Sequence, residues 1–349
     1  MWSTARTLQP SFMKNYKMDN SKIHIIAEAG TNHNGNLAKA IELVDIAHTA
    51  GADSVKFQII YPWGLYLPGD YEYGHYDIKK VIKIREDGML KDEEYDQLAA
   101  YCQEKGIAFT ASVFDERGLD LLLKFNPPYV KMASCDLNNI RFLRQVAERG
   151  KRMIISTGMS TMQDIEKSLN ELAKANFNDI VLLHCVSVYP AFLDKANVGF
   201  IKTLKDTFGF PVGYSDHTGN SIAAAMALTN GAEWFEKHFT ADRTQEGFDH
   251  AYAMEEEGMT QYVKDLRDAE KALQIPEQKI SDAERYTRKR ARRSLYAARD
   301  IKAGSILSDE DVLIVRPEGI MDADQIDLLI GQKLKTDLKQ YQAFSLGHV

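Results

Sequence analysis

From residue 23 to about residue 273 the chain alternates short apolar runs with longer stretches in which apolar residues recur at helical spacing. The runs read IHIIAE (23–28), DSVKFQ (53–58), IAFTAS (107–112), YVKMAS (129–134), RMIIST (152–157), IVLLHC (180–185), PVGYS (211–215) and EWFEKH (233–238). Short apolar runs bounded by turn residues predict buried strands. The stretches between them, such as LAKAIELVDIAHTA (37–50) and TMQDIEKSLNELAKA (161–175), predict amphipathic helices, several stopped by glycine. Eight strand–helix units in about 250 residues predict an α/β fold, a (β/α)8 TIM barrel. A doubly wound open sheet gives the same alternation and stands as the structural alternative, with the count of eight favouring the barrel.

Two stretches break the rhythm. Residues 59–91, rich in Tyr, Gly and Pro, read as an elaborated loop after the second strand, where long loops shape substrate pockets. After Gln274 the polar stretch IPEQKISDAERYTRKRARR reads as a linker, followed by short β-like pieces separated by turn signals. The predicted organisation is a tail at 1–20, a barrel at 21–275, a linker at 276–293 and a small β-rich domain at 294–349.

Composition narrows this little. The 349 residues are 44% hydrophobic and carry a net charge of −7, which gives no general attraction for nucleic acid or an anionic membrane. The basic run Arg288–Arg293 reads as a solvated face in an acidic chain. Cys102, Cys135 and Cys185 form no CxxC pair, so neither a disulfide framework nor a cysteine zinc site is expected, in keeping with a reducing cytoplasm. The first twenty residues lack an apolar core of the secretory kind, and no apolar run is long enough to span a bilayer.

The strand ends carry the chemistry. In a (β/α)8 barrel the reacting groups sit at the C-terminal ends of the strands. Those ends present Glu28, Lys56 with Gln58, Thr110, Lys131 with Ser134, Ser156 with Thr157, His184, Ser215 with His217, and His238. So many polar termini on one rim are costly unless paired or liganded. Two lysines among hydroxyls suit a small, highly charged anion such as a phosphate beside a carboxylate; either alone reads as a strand-end lysine snorkelling to solvent. His217 and His238 suit a divalent ion with open positions, with Asp216 or Glu236 as ligating or orienting carboxylates. Taken singly, each histidine reads as a satisfied core residue.

The motifs IAEAGTNHNGNLAKAIELVDIAHTAGADSVKFQ (26–58), VKMAS (130–134), IISTGMS (154–160), LLHCVSVYP (182–190), GYSDHT (213–218) and EKHFT (236–240) resemble the sialic acid synthase family, with its N-acetylneuraminate, legionaminate and pseudaminate branches. The end segment SLYAARDIKAG…VRPEG is similar to that family's C-terminal antifreeze-like (SAF) domain. The resemblance implies condensation of phosphoenolpyruvate with an N-acetylmannosamine-like amino sugar to a nine-carbon 2-keto acid, with release of phosphate. It implies a divalent metal, Mn²⁺ before Mg²⁺ or Co²⁺, on His217 and His238. Lys56, Gln58, Thr110, Lys131, Ser134, Ser156, Ser187 and Ser215 fall where the family holds phosphoenolpyruvate. Tyr189, Asp249 and Arg316 fall on the sugar side, Arg316 reaching a partner subunit's barrel in a domain-swapped homodimer. Glu28 falls where it orients or deprotonates the attacking water, with pairing to Lys56 as its structural alternative.

The chain also departs from the family. VRPEG stands for the usual RPGNG, TASVFD for S-T-P-F-D, and GFDH for GPDH, and residues 59–91 show no counterpart to a sugar-contacting Asn. These departures bear on the sugar more than on the reaction. Two rival readings stand beside this one: a class I aldolase with a Schiff base on Lys131, and a non-catalytic carbohydrate- or ice-binding protein built on the C-terminal domain.

Overall fold

The structure, a computed structural model, describes residues 23–349 apart from 68, 70–71, 74–75, 248 and 275–279. The tail expected over 1–20 and the beginning of the expected linker therefore lie outside the described residues. The chain divides into two compact units, Met1–Leu273 and Gln274–Val349.

In the first unit eight strands close into a barrel. They are β1 (His24–Gly30), β2 (Ser54–Ile59), β3 (Ala108–Val113), β4 (Val130–Met132), β5 (Met153–Ser156), β6 (Ile180–Cys185), β7 (Val212–Asp216) and β8 (Ala232–His238). Each pairs in parallel with its sequence neighbours, and β8 closes on β1 with Glu28 opposite His238. Closure removes the open sheet as an alternative. It is also the step that periodicity alone cannot reveal, since both folds share the same local pattern.

The helices α1 (Leu37–Ala50), α4 (Asp92–Lys105), α5 (Glu116–Leu123), α6 (Ile140–Glu148), α7 (Met162–Lys174), α8 (Phe200–Phe208), α9 (Ile222–Thr229) and α10 (Glu256–Leu273) lie between or after the strands. Their ends follow local chemistry. Asn36 accepts the Lys39 N–H at the start of α1, and Gly51, at φ 81°, ends it in a left-handed conformation that suits glycine. The main core fills the space between strands and helices, with Val44, Phe57, Leu98 and Leu204 all buried. A second cluster of Ile26, Tyr129, Ile154, Val181, Leu183 and Trp234 is separate from it. It comes from alternate positions on the barrel strands, the inward set of a closed barrel.

Residues 59–91 hold more regular structure than their composition suggests. They contain α2 (Pro62–Leu65), a short hairpin of Glu72–Tyr73 with Tyr76–Asp77, and α3 (Ile78–Asp87). Asp77 caps α3, and Val81 and Ile82 are buried.

The second unit has its own core of Leu295, Ala297, Ile301, Leu307, Met321, Leu334 and Phe344, among others. β9 (Ser294–Ala297) pairs antiparallel with β10 (Val312–Val315). Most of the stretch read as linker is α11 (Asp282–Ala291), started by a capping box between Ser281 and Glu284. Arg288 reaches Glu318 at 2.5 Å and Arg292 reaches Asp322 at 3.2 Å, so this helix is tied to the rest of its own unit. It buries no residue, which is why no apolar stripe marks it in the sequence.

Candidate active site

Strand pleating turns alternate residues inward, so the last inward positions form one layer. Four charged side chains meet there, all buried: Glu28, Lys56, Lys131 and Glu236. Lys56 Nζ lies 2.5 Å from Glu28 Oε2 and 3.5 Å from Glu236 Oε2, and donates to Ser112 Oγ at 2.8 Å. Lys131 Nζ donates to Ser156 Oγ at 2.7 Å and to the Met132 carbonyl at 3.1 Å, and stands 3.9 Å from Glu236 Oε2. Ser215 Oγ donates to Glu236 Oε1 at 2.8 Å, and Gln58 Nε2 to Glu28 Oε1 at 3.0 Å.

The two carboxyls differ in their proton affinity. Burial pushes Glu28 up to about 7 against the pull of Lys56, with the Glu236 charge adding to the rise. Burial acts on Glu236 in the same sense, but Lys131 and Lys56 together outweigh it and hold that carboxyl low. Burial also disfavours both ammonium charges; Glu236 and Glu28 overcome it at Lys56, whereas Lys131 stays below the usual lysine range. The layer thus pairs a fixed carboxylate with one that titrates near neutrality.

Beside this layer, Ser134, Cys185 and Ser187 converge on Gly158. The Gly158 N–H donates to Ser134 Oγ at 3.1 Å, and Ser134 Oγ lies 3.2 Å from Cys185 Sγ. A Cβ at Gly158 would stand 2.3 Å from Ser187 Oγ, 2.8 Å from Cys185 Sγ and 2.9 Å from Ser134 Oγ. Glycine is what lets these groups approach the backbone.

The imidazoles occupy the adjoining side. Their ring centroids are 5.5 Å apart, and Tyr189 lies 4.2 Å from His217 and 6.0 Å from His238. His217 Nδ1 is 2.7 Å from the Val186 carbonyl, a contact that places the proton on Nδ1 and leaves Nε2 as a lone pair. Burial and the neighbouring His238 push His217 down to about 4, and burial lowers His238 too, so both rings are neutral near pH 7. His238 Nδ1 and Asp249 Oδ2 lie 3.7 Å apart, each buried with no hydrogen-bond partner among the described residues. Asp249 Oδ1 accepts the Tyr252 hydroxyl. A Cβ at Gly30 (φ 58°) would stand 2.8 Å from Asp249 Oδ2 and 3.6 Å from Gln58 Nε2, which places the aspartate against the Glu28–Gln58 edge.

These donors fit a divalent ion. Both imidazoles are neutral and buried, and His238 Nδ1 stands unpartnered with the Asp249 carboxylate oxygen beside it, as a ligand does before it meets an ion. Among the described residues no group of three or more His, Cys, Asp or Glu side chains is gathered tightly enough to hold an ion alone. An ion on His217 and His238 would complete its shell with water or substrate, and imidazole donors favour a transition ion over Mg²⁺.

Several residues named from sequence lie elsewhere. Thr110 sits deeper than the layer and gives its hydroxyl to the Tyr129 carbonyl at 2.8 Å. The hydroxyl of that strand that meets Lys56 is Ser112, two residues on and within the predicted run 107–112, which does not show which of its hydroxyls reaches the layer. Asp216 is turned away from the imidazoles: it lies 3.4 Å from Lys237 Nζ and accepts the Thr218 N–H and hydroxyl, each at 2.7 Å. His184 also faces outward, bonded to the Ala196 carbonyl at 2.9 Å and packed on Phe200 and Tyr214. Arg316 is on an exposed loop of the second unit. Tyr252 and Cys185 have no signal in the sequence; the fold alone brings them to the site.

A closed (β/α)8 barrel with a buried Lys/Glu layer and two neutral imidazoles at its rim, followed by a separate small β unit, defines the class of protein. Within that class the chain belongs to the NeuB family, whose model matches residues 43–278, and a SAF domain is matched over 292–340. It is 35% identical to the N,N′-diacetyllegionaminic acid synthase of Legionella pneumophila over 93% of this chain and 94% of that one. It is 33% identical to the pseudaminic acid synthase of Campylobacter jejuni over 95% and 98% respectively. A solved structure of the N-acetylneuraminic acid synthetase of Leptospira borgpetersenii superposes with a TM-score of 0.69 at 32% identity, covering 77% of this chain and 90% of that one.

Proposed function

We propose that this protein is a sialic-acid-type synthase that joins phosphoenolpyruvate to an N-acylated amino-sugar aldehyde, yielding a nine-carbon 2-keto acid and inorganic phosphate. The observation that carries the reading is the buried layer of two lysines and two carboxylates beside two neutral imidazoles.

Lys56 and Lys131, with Ser112, Ser134, Ser156, Ser187 and Ser215, supply the donors that a phosphate and a carboxylate of one small anion require. Glu236 stays ionised between the lysines and orients them. His217 and His238 would hold a divalent ion, Mn²⁺ before Co²⁺ or Mg²⁺, which when bound supplies Lewis-acid activation of the aldehyde oxygen. C3 of the enol attacks the aldehyde carbon, whose oxygen takes up a proton and becomes a hydroxyl, and the new C–C bond leaves positive character at C2. Water adds at C2 and gives its proton to Glu28, which Gln58 orients. The C2–O bond to phosphate then breaks, the C2 hydroxyl gives its proton to the departing phosphate as C2 becomes the ketone, and the lysines stabilise the departing charge. Tyr189 and Asp249 face the sugar. Arg316, by the family resemblance, reaches the sugar bound to a partner subunit, and a fully active monomer in light scattering would refute that part.

The test is phosphate release from phosphoenolpyruvate with a panel of mono- and di-N-acetyl hexosamines, each with and without a 6-phosphate. Release that requires both an amino sugar and a divalent ion supports the proposal. One observation favours a second reading: Lys131 is buried with a lowered pKa, as a Schiff-base lysine is. Borohydride trapping of a pyruvate–lysine adduct, with activity indifferent to EDTA, would establish that aldolase instead.

A further inference from the structure

Lined in part by Gln58, which also bonds Glu28, the structure holds a cavity of about 30 Å³. One buried water requires about 10–15 Å³ on the same measure, so two or three heavy atoms fit. Its walls carry polar His33, Arg85 and Gln58 and apolar Ile60, Met89 and Leu90. His33 is 1% exposed and packs on Phe57. The Gly35 N–H donates to His33 Nδ1 at 3.1 Å, so the proton of the neutral ring is on Nε2. That Nε2 is buried and has no hydrogen-bond partner among the described residues. A buried donor without an acceptor is costly, and a native structure that keeps one has something to meet it. Arg85 Nη1 donates to Thr31 Oγ1 at 2.7 Å, which brings a cation to the same wall.

Resting on the synthase reading above, we propose that this cavity is a specificity subsite for one N-acetyl group of the acceptor sugar, whose carbonyl oxygen accepts from His33 Nε2–H. The chemistry matches group for group. An acetyl has one acceptor oxygen for the donor wall and one methyl for the Ile60–Met89–Leu90 wall. Its three heavy atoms fill the available volume. A phosphate is too large and would leave its oxygens against the apolar residues. Gln58 lines the cavity and also touches Glu28, so a sugar anchored here has its reacting end directed at the catalytic layer.

The experiment uses the full chain with phosphoenolpyruvate and Mn²⁺. The acceptor is whichever of N-acetylmannosamine or a di-N-acetyl trideoxyhexose supports phosphate release, compared with analogues in which each acetamido in turn is a hydroxyl. In the native protein, loss of the anchored acetamido raises KM about five- to tenfold. In His33→Ala that penalty falls below about twofold, and KM for phosphoenolpyruvate is unchanged. Ile84→Trp, which fills the cavity from a half-exposed helix position, gives the same loss of discrimination and covers the case in which His33→Ala fails to fold. If either folded variant keeps the native discrimination, the cavity holds water only and the subsite is refuted while the synthase reading stands. If the native protein releases no phosphate with any amino sugar, both fall.

Discussion

Glu28 and Glu236 are neighbours in one layer, share Lys56, and are equally deprived of water, yet their protons are held in opposite ways. Glu236 has two lysines within 4 Å and a serine donor; Glu28 has one lysine and an amide. The second ammonium decides the difference, because burial acts on both in the same direction. If Glu28 is the base, kcat/KM rises as pH increases through about 7, where its carboxyl loses the proton, and falls away below. Glu28→Gln then lowers kcat by roughly 10²–10⁴-fold with phosphoenolpyruvate affinity retained by calorimetry. Loss of affinity without loss of kcat would make Glu28 a structural partner of Lys56. His217→Ala and His238→Ala are each expected to abolish turnover and to weaken Mn²⁺ binding in calorimetry while the circular dichroism spectrum is unchanged. Lysines, glutamates and histidines at strand ends were legible because charge is conspicuous on an apolar run. Thr110 and Ser112 show where this stops: both lie in one predicted run, and sequence does not say which hydroxyl is deep and which meets the layer.

At the scale of elements, strand alternation explains how β7 and β8 present their imidazoles. Ser215 and His217 bracket Asp216, and Glu236 and His238 bracket Lys237; the bracketed pair points outward while the brackets point in. Lys237 also donates to the Thr218 carbonyl, so this outward pair ties the strand bearing His238 to the turn just after His217. Removing one partner of a buried pair leaves an uncompensated charge, at about 3–5 kcal/mol. Asp216→Ala is therefore expected to lower the unfolding midpoint markedly and to weaken metal binding. Asp216→Leu combined with Lys237→Met recovers much of the stability in denaturant titration. If the single change leaves stability within 0.5 kcal/mol, the pair is not what holds the two strands. Sequence could not show this, because an Asp next to a His reads equally well as a ligand. Likewise α11 was hidden by its wholly polar face, although Ser281 and Glu284 spelled its capping box.

Over the whole molecule, each unit closes its own core, and the repeated strand–helix pattern made the first of them readable while the short strands of the second gave only turn signals. The cavity beside Gln58 was invisible because its walls come from two barrel rims, α3 and the turn after it, far apart in sequence. One of those walls sets a stability prediction for the entire barrel. Burial pushes His33 down to about 4, from about 6.5 in the unfolded chain. A lowered histidine favours the fold fully above pH 6.5, and that contribution is lost as pH falls toward 4, because the unfolded chain then takes up a proton that the fold refuses. At about 1.4 kcal/mol per unit the loss amounts to roughly 3 kcal/mol across that window. Urea titrations at pH 7 and pH 4.5 compare native protein with His33→Ala. The variant starts less stable at pH 7 and loses less on acidification. Equal losses in the two proteins would mean that the His33 ring takes up a proton in the folded state, so that burial does not hold it neutral.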